Sequence, residues 1–287
     1  MRTSSDCISC LIRLAAETVK RATNNHNIIN TVIERTVALT KSMDRNNPPP
    51  KMGQRIHRIV IEETGNTDPC LEIKKQCNEI ALVLQPKLKK IIEKSSDRFL
   101  TAAKLAIAGN IIDFATTSEF SSEIMLKTIN ETLSNPIDKA SFKLLKKNIE
   151  KANKILYLGD NAGEIIFDKI FIDELPKDKI TFCVRGMSIS NDALMDDAEK
   201  AGLTSMVKVI DSGTDLPGII HDECSTEFKN CFNEADLIIA KGQGNFETLN
   251  DSRKNISFLF KVKCPAVANE TRCKIGDTVI LNNKVCP

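Results

Sequence analysis

The sequence lacks tryptophan and has one tyrosine, so aromatic residues make up only 5% of its 287 residues. Proteins that bind single-stranded nucleic acid stack bases on aromatic side chains, and few are present here. A surplus of charge is also missing, since 40 basic and 38 acidic residues leave a net charge of +2. This composition favours neither nucleic acid nor an anionic membrane surface as a partner.

Long apolar runs are missing as well, and no stretch approaches the ~20 apolar residues of a membrane-spanning helix. Near the amino terminus, Asp6, Arg13 and Glu17 interrupt any apolar segment that a signal peptide would need. We therefore expect a cytoplasmic protein whose ten cysteines are thiols or metal ligands rather than disulfides. The C-x-x-C pair of Cys7 and Cys10 is half of a zinc site, a redox pair or two ordinary thiols.

Hydrophobic residues at 41% and charged residues at 27% are typical of a globular protein with a substantial core. The first half of the chain has helical spacing of apolar residues and no strand signal before about residue 154. Prolines 48–50 predict a break between helices, and Pro86 predicts that residues 70–84 and 86–93 form two separate helices. Residues 118–152 are predicted to form two more helices, with a break near Asn135 and Pro136.

From residue 154 the pattern changes to an alternation of strands and helices. Strands are predicted at residues 154–158, 179–184, 207–210, 236–240 and 257–262. Helices are predicted between them at residues 165–175, 191–201, 224–234 and 245–254. Such alternation predicts an α/β fold with a mostly parallel sheet between two helical layers, and the tail adds antiparallel edge strands near residues 275–277. We place a helical amino-terminal domain at residues 1–104 and a three-layer α/β/α domain at residues 105–287.

Polar residues follow the first predicted strand at the turn into a helix. Asp160 and Asn161 come after Gly159, and Gly163 precedes an amphipathic helix. A carboxylate and a carboxamide at this position offer oxygen ligands for a metal, while the helix start offers N–H groups for an anion. Alternatively, Asp160 caps the helix and Gly163 serves a tight turn.

The carboxyl ends of parallel strands share one edge of the sheet, where ligands bind. Asp192, after the second strand, would join Asp160 and Asn161 there. Three oxygen-bearing side chains suit Mg²⁺, Mn²⁺ or a similar divalent ion better than zinc. In the other interpretation, Asp192 is only the cap of the next helix.

Lys241 follows the fourth predicted strand and precedes a turn that contains Gly242 and Gly244. A lysine with a glycine-rich turn at a helix start can hold a phosphate group, because glycine lets backbone N–H groups approach the anion. Lysine plus a divalent ion would fit phosphoryl chemistry. Alternatively, Lys241 is a solvated loop residue and the glycines serve the turn alone.

Two other segments contribute polar residues that have either a functional or a structural interpretation. Asn110 and Asp113 lie in an apolar helical segment after Gly109, and they either project into a site or stabilise the fold. Arg185 follows the second predicted strand, and it is either a residue of the site or a surface charge. It also stands where a dinucleotide site would have an acidic residue, and the G-x-G-x-x-G spacing and a Walker A loop are missing.

The segments Gly159–Glu164, Lys241–Glu247 and Gly109–Phe114 together resemble the damage-control phosphatases, whose fold is called acidic-residue-methyltransferase-like. Supporting segments are 64–69 and 7–10, and the resemblance covers nearly the whole chain. It is closest to the short, stand-alone prokaryotic branch. The resemblance implies a helical region followed by an α/β/α metal-binding domain. It also implies a metal-dependent phosphatase for small phosphorylated metabolites, with Mn²⁺, Co²⁺, Ni²⁺ or Mg²⁺ as its cofactor.

Roles for individual residues follow from the matched motifs. The implied metal ligands are Asp160, Asn161 and Asp192, and the catalytic residues are Asp160, Asn161 and Lys241. The predicted substrate-binding residues are Asn110, Asp113, Arg185, Lys241, Gly242, Gly244, Asn245 and Glu247. Because Asn161 and Ala162 follow Asp160, the second acid of a D-x-D motif is missing, which favours attack by metal-activated water over a phosphoaspartate.

The substrates would be sugar phosphates or damaged phosphometabolites. Two alternatives remain open. One is a protein carboxyl methyltransferase that depends on S-adenosylmethionine, and the other is a non-catalytic protein that binds a metabolite on the same fold.

Overall fold

The computed structural model describes residues 1–110 and 122–283. The described chain begins with three helices that pack around a core of their own. They are α1 (Asp6–Ala22), α2 (His26–Ser42) and α3 (Pro49–Thr64). The proline-rich segment breaks the chain between α2 and α3 as predicted, and Pro49 then occupies the first position of α3, where a missing N–H costs nothing. Gly65 ends α3 in the left-handed conformation.

The next helix, α4 (Leu71–Glu93), is continuous and contains Pro86 in its interior. The prediction of two separate helices was therefore wrong. A proline inside a helix costs about 3 kcal/mol. The buried face of Cys77, Ala81, Leu84 and Leu88 continues past Pro86, so packing of this face against the sheet domain outweighs the local penalty.

Three further helices complete the helical half of the chain. They are α5 (Arg98–Ala108), α6 (Ser122–Ser134) and α7 (Lys139–Lys151), and the predicted break at Asn135 and Pro136 separates the last two. The domain boundary that we placed at residues 104 and 105 falls inside α5. Buried residues of α4 to α7 belong to the same core as one face of the sheet, whereas α1 to α3 have a separate core.

The second half forms a six-stranded sheet of order β3-β2-β1-β4-β5-β6. Its strands are β1 (Ile155–Leu158), β2 (Ile180–Val184), β3 (Lys208–Asp211), β4 (Leu237–Lys241), β5 (Ile256–Lys261) and β6 (Thr278–Asn282). The first five are parallel and β6 is antiparallel to β5. The predicted fold class is confirmed, and the boundaries of the five predicted parallel strands agree within one residue.

Helices cover both faces of the sheet. Those in the second half of the chain are α8 (Glu164–Ile172), α9 (Met195–Ala201), α10 (Thr226–Glu234), α11 (Gln243–Leu249) and α12 (Pro265–Thr271). Alternate strand residues point to opposite faces, so Tyr157 packs in the core that contains α8 and α9, while Leu156 packs in the core with α10, α11 and α12. Within the described ranges, no helix combines the length and the apolar character that a membrane span requires.

The strand order places β1 and β4 side by side at the centre of the sheet. From β1 the chain moves to β2 and β3 on one side, and from β4 it moves to β5 and β6 on the other. The connections after β1 and β4 therefore diverge at their carboxyl ends, and open α/β sheets bind ligands in the crevice at such a point.

Candidate active site

The turn after β1 presents Asp160 and Asn161 at this crevice. Gly163 ends the turn with a φ of +77°, and a Cβ there would lie 2.7 Å from the carbonyl oxygen of Cys77, so only glycine fits. The N–H of Gly163 donates to Asn78 Oδ1 at 2.7 Å. Because α8 begins only at Glu164, the alternative that Asp160 caps this helix is wrong.

Asp192 reaches the same turn through backbone pairing. Asn161 and Asp192 form an isolated antiparallel bridge, and Ala193 N–H donates to the Asp160 carbonyl at 2.9 Å. Helix α9 begins three residues after Asp192, at Met195, so Asp192 is not its cap. The predicted convergence of Asp160, Asn161 and Asp192 on one edge of the sheet is thus present in the structure.

Two carboxamides and two carboxylates form a closed cluster below this edge. The Nδ2 of Asn110 donates to Asp160 Oδ2 at 3.1 Å and to Glu164 Oε2 at 2.9 Å. The Nδ2 of Asn161 donates to the same two oxygens, at 3.0 and 3.1 Å. Each NH₂ group therefore donates one hydrogen bond to each carboxylate. Asn110, Asn161 and Glu164 are buried, and Asp160 is half-buried.

Lys241 lies beneath this cluster and is completely buried. Its ammonium donates to Glu164 Oε1 at 2.7 Å, to Asp168 Oδ1 at 2.6 Å and to the carbonyl of Ala106 at 2.7 Å. These bonds use all three hydrogens of the ammonium. The alternative of a solvated loop lysine is wrong. Lys241 could touch a phosphate only by giving up one of these bonds, and its predicted role as a phosphate ligand remains a prediction.

Burial perturbs the acid–base properties of this lower layer. Burial raises the pKa of Asp168 to about 6, although the ammonium of Lys241 opposes the shift. Tyr157 donates its hydroxyl to Asp168 Oδ1 at 2.8 Å, and its own pKa is raised well above the usual value by burial and by the Asp168 charge. Burial alone would lower the pKa of Lys241, but Asp168 and Glu164 raise it, so the lysine remains an ammonium.

Arg185 is buried and forms an ion pair with Asp192. Its Nε donates to Asp192 Oδ2 at 2.6 Å, and its two terminal nitrogens donate to the Gly218 carbonyl and to Asn245 Oδ1, each at 3.1 Å. Burial would lower the pKa of Arg185, but Asp192 raises it. Asn245 in turn donates to the carbonyls of Lys241 and Gly159. The surface-charge interpretation of Arg185 is therefore wrong. Arg185 and Asn245 both support the site through these hydrogen bonds. Direct contact of either residue with substrate remains a prediction.

The two glycines after Lys241 are required by close approaches. Gly242 has a φ of +78° and lies against the Asp160 carboxylate, so that any side chain would collide with it. A Cβ on Gly244 would lie 2.2 Å from the carbonyl oxygen of Pro217. Both glycines therefore allow segments to meet at the crevice, and Gly242 borders the Asp160 cluster directly.

Glu247 and Asp113 are the two remaining predicted residues. Glu247 accepts a hydrogen bond from Gln243 at 2.7 Å, and Gln243 also contacts Cys264 Sγ and the N–H of Lys263. These contacts tie α11 to the segment before α12, and the place of Glu247 in the phosphate pocket remains a prediction. Burial raises the pKa of Glu247 to about 7. Asp113 lies outside the described residues.

Most metal sites in proteins contain several acidic, histidine or cysteine side chains close together. Across residues 1–110 and 122–283, no group of three or more His, Cys, Asp or Glu side chains is placed to share one metal ion. The pair of Cys7 and Cys10 therefore lacks further ligands of these types in the described part of the chain. A metal site at Asp160 and Asp192 would depend on the Asn161 carboxamide as a third ligand.

Glu164 and Asp168 are central to the site, but sequence reasoning did not select them. Both lie on α8, one turn apart, in a helix whose other residues are mostly apolar. Side chains at i and i+4 share a helix face, and carboxylates are almost never fully buried unless they are paired. Two acids on one face of an apolar helix were the signal that could have identified them.

The fold and the site together define an α/β/α protein with an acidic cluster at the switch point of its sheet. The family model for the damage-control phosphatase ARMT1-like domain matches residues 3–279, and the chain belongs to this family. A damage-control phosphatase of Pyrococcus horikoshii is 36% identical over 99% of this chain and 99% of its own. A damage-control phosphatase of Archaeoglobus fulgidus is 33% identical over 97% of this chain and 98% of its own.

The solved structures include a similar protein. The crystal structure of a DUF89 family protein from Pyrococcus horikoshii covers 99% of this chain and 100% of its own, with 35% identity and a TM-score of 0.87. The recognised family and the predicted fold class are thus confirmed.

Proposed function

We propose that the protein is a metal-dependent phosphatase that hydrolyses small phosphorylated metabolites. The observation that carries the proposal is the charge balance of the cluster at the carboxyl ends of β1 and β4. Within residues 1–110 and 122–283, the charged side chains joined in this cluster by hydrogen bonds or strand pairing include the carboxylates of Asp160, Glu164, Asp168 and Asp192 and the cations of Lys241 and Arg185. When all are ionised, four negative charges face two positive ones. A divalent cation would neutralise the remainder.

The donor atoms also fit such an ion. Asp160, Asn161 and Asp192 would hold it through oxygen, the ligand type that Mg²⁺ and Mn²⁺ prefer and that Co²⁺ and Ni²⁺ accept. Both hydrogens of the Asn161 amide are engaged by carboxylates, so its carbonyl oxygen lies on the opposite edge of the amide group. A divalent ion held there would supply a Lewis acid for the phosphoryl group and would lower the pKa of an attacking water.

The residues beneath the cluster keep it in place. Lys241 and Arg185 compensate the buried carboxylates, and Arg185 holds Asp192 toward the Asn161 turn. Gly242 leaves room for the Asp160 carboxylate. Such a preorganised arrangement stabilises developing charge without reorganisation during the reaction.

Family membership supports the phosphatase reaction and its substrate class. The relatives from Pyrococcus horikoshii and Archaeoglobus fulgidus are named damage-control phosphatases and match over nearly their whole length. We therefore propose sugar phosphates or damaged phosphometabolites as substrates, and water as the nucleophile.

The test is hydrolysis of p-nitrophenyl phosphate by purified protein with Mn²⁺, Co²⁺, Ni²⁺, Mg²⁺ or chelator. We expect release that depends on a metal and that falls at least about 100-fold in Asp160→Ala, the scale of removing a group that stabilises transition-state charge. The matched control is Asp178→Ala, since Asp178 is an exposed carboxylate in a short 3₁₀ turn. Release without metal, or equal release by both variants, would contradict the proposal.

Three further measurements separate the alternatives and identify the substrate. Transfer of labelled methyl groups from S-adenosylmethionine to protein carboxylates would support the methyltransferase alternative. A library of phosphorylated metabolites, assayed for phosphate release with the preferred metal, would rank the substrates. Binding of a metabolite without turnover would favour the non-catalytic alternative.

A further inference from the structure

We infer that Glu164 is a positioning residue that sets the orientation of the Asn110 and Asn161 carboxamides and turns their carbonyl oxygens toward the bound metal or substrate. The inference rests on the proposed function for the identity of the ligand. The orientation itself follows from contacts within the chain.

A single oxygen of Glu164 organises both amides. Its Oε2 accepts from Asn110 Nδ2 at 2.9 Å and from Asn161 Nδ2 at 3.1 Å. Its Oε1 accepts from Lys241 Nζ at 2.7 Å. Glu164 is completely buried, so these donors replace the water that a carboxylate would otherwise bind.

The chemistry of the partners decides the orientation of each amide. An ionised carboxylate only accepts hydrogen bonds, whereas a carboxamide has one donating and one accepting end. Asn110 and Asn161 each face the two carboxylates of Asp160 and Glu164, so only the NH₂ end can point toward them. The oxygen of each amide then points away from both carboxylates.

Asp160 favours the same orientation but engages only one hydrogen of each NH₂ group. It supplies one acceptor oxygen to each amide, which leaves the second hydrogen of each NH₂ group to Glu164. Glu164 is also held from the other side by Lys241, which is itself fixed by Asp168 and the Ala106 carbonyl. The Glu164 carboxylate, fixed in this way by Lys241, therefore helps determine which atoms of the two amides face the ligand above.

The isosteric variant Glu164→Gln tests the inference directly. Glutamine offers one oxygen and one NH₂ group. If its oxygen faces Lys241, its NH₂ group faces the two amides and favours their flipped orientation, with nitrogen toward the metal. If its oxygen faces the amides, its NH₂ group opposes the ammonium of Lys241. Either arrangement disturbs the contacts that align the two carbonyl oxygens.

The first measurement is the affinity for Mn²⁺ by titration calorimetry on the full chain. We expect Glu164→Gln to weaken Mn²⁺ binding about 10- to 100-fold, the range found for residues that orient metal ligands. The matched control is Tyr157→Phe, which removes a hydrogen bond to Asp168 in the same buried layer but touches neither amide. Its affinity should stay within about threefold of wild type, and thermal unfolding should show that both variants fold.

The second measurement does not depend on a metal. In protein labelled with ¹⁵N-asparagine, the side-chain NH₂ signals of Asn110 and Asn161 are assigned by their loss in Asn110→Asp and Asn161→Asp. Without metal, both should be protected from exchange in wild type and in Tyr157→Phe. In Glu164→Gln both should shift and lose protection.

The outcomes separate the inference from the proposed function. Unchanged NH₂ signals in Glu164→Gln would overturn the inference whatever the metal does. Shifted signals with unchanged Mn²⁺ affinity would overturn the link between amide orientation and the metal. If wild type binds none of the four metals, the proposed metal dependence fails, and the NH₂ signals alone then decide the role of Glu164.

Discussion

The carboxylate of Asp160 lies directly against the backbone of Gly242. A Cβ built on Gly242 would be 2.0 Å from Asp160 Oδ2 and 2.2 Å from its Cγ. Asp160 follows β1 and Gly242 follows β4, so this contact joins the two central strands at their carboxyl ends. The space that a side chain would fill at position 242 is occupied by the carboxylate that we propose as a metal ligand.

Gly242→Ala should therefore lower metal-dependent phosphatase activity by about 100-fold, because a displacement near 1 Å in a catalytic group has costs of this size. The matched control is Gly65→Ala. Gly65 has a similar φ of +70° but nothing within 4 Å of its Cβ position, so it tests backbone strain without the collision. Steady-state hydrolysis with equal loss in both variants would contradict a specific role for the Asp160 contact.

Arg185→Met should destabilise the protein by about 3 to 5 kcal/mol, since it leaves the buried Asp192 carboxylate without its cationic partner. Urea unfolding monitored by circular dichroism measures the effect. The control is Arg98→Met, which breaks an ion pair with Glu174 at an exposed arginine and should change the unfolding midpoint little. Similar midpoints for the two variants would show that Asp192 does not depend on Arg185.

Glu247 should make stability fall as pH rises, because burial raises its folded-state pKa to about 7 from the ordinary value of 4.5. Between these two values the folded state keeps a proton that the unfolded state releases, so unfolding becomes easier as pH rises. The resulting loss in the free energy of unfolding grows to about 3 kcal/mol near pH 7 and then levels off.

The variant Glu247→Gln should remove this dependence and keep the hydrogen bond from Gln243. Urea unfolding of variant and wild type at pH 5, 6, 7 and 8 should show a stability difference that grows in favour of the variant up to pH 7. The comparison isolates Glu247, since Asp168 contributes to both proteins. A difference that stays constant from pH 5 to 8 would exclude a raised pKa for Glu247.

Asp215 should anchor α3 to the loop after β3. Arg58 donates to both of its carboxylate oxygens at 2.7 Å, and Gln54 donates to one of them at 2.6 Å. Asp215→Ala is expected to speed hydrogen exchange in α3 while the strands of the sheet keep their protection, because α1 to α3 have their own core. Mass spectrometry measures this exchange, with the exposed Asp222→Ala as control. Unchanged exchange in α3 would show that other contacts suffice.

Much of the fold was predictable because strands and helices differ in the period of their apolar residues. The parallel strands were located within one residue, since each is a short apolar run bounded by polar turns. Pro86 shows where this reasoning fails. The local cost of a proline inside a helix suggested two helices. The apolar face of α4 continues past Pro86, however, and is buried by tertiary packing, which no local sequence pattern measures.

The sequence by itself determined that Asp160, Asn161 and Asp192 would meet, because parallel strands place their carboxyl ends on one edge of a sheet. Only the tertiary structure decided what lies beneath them. The strand order also places Lys241 at this edge. Its side chain, however, turns into the core, where Glu164 and Asp168 on α8 accept its hydrogen bonds. Burial and partners depend on how helices pack on the sheet, and that packing is a property of the whole chain rather than of any segment.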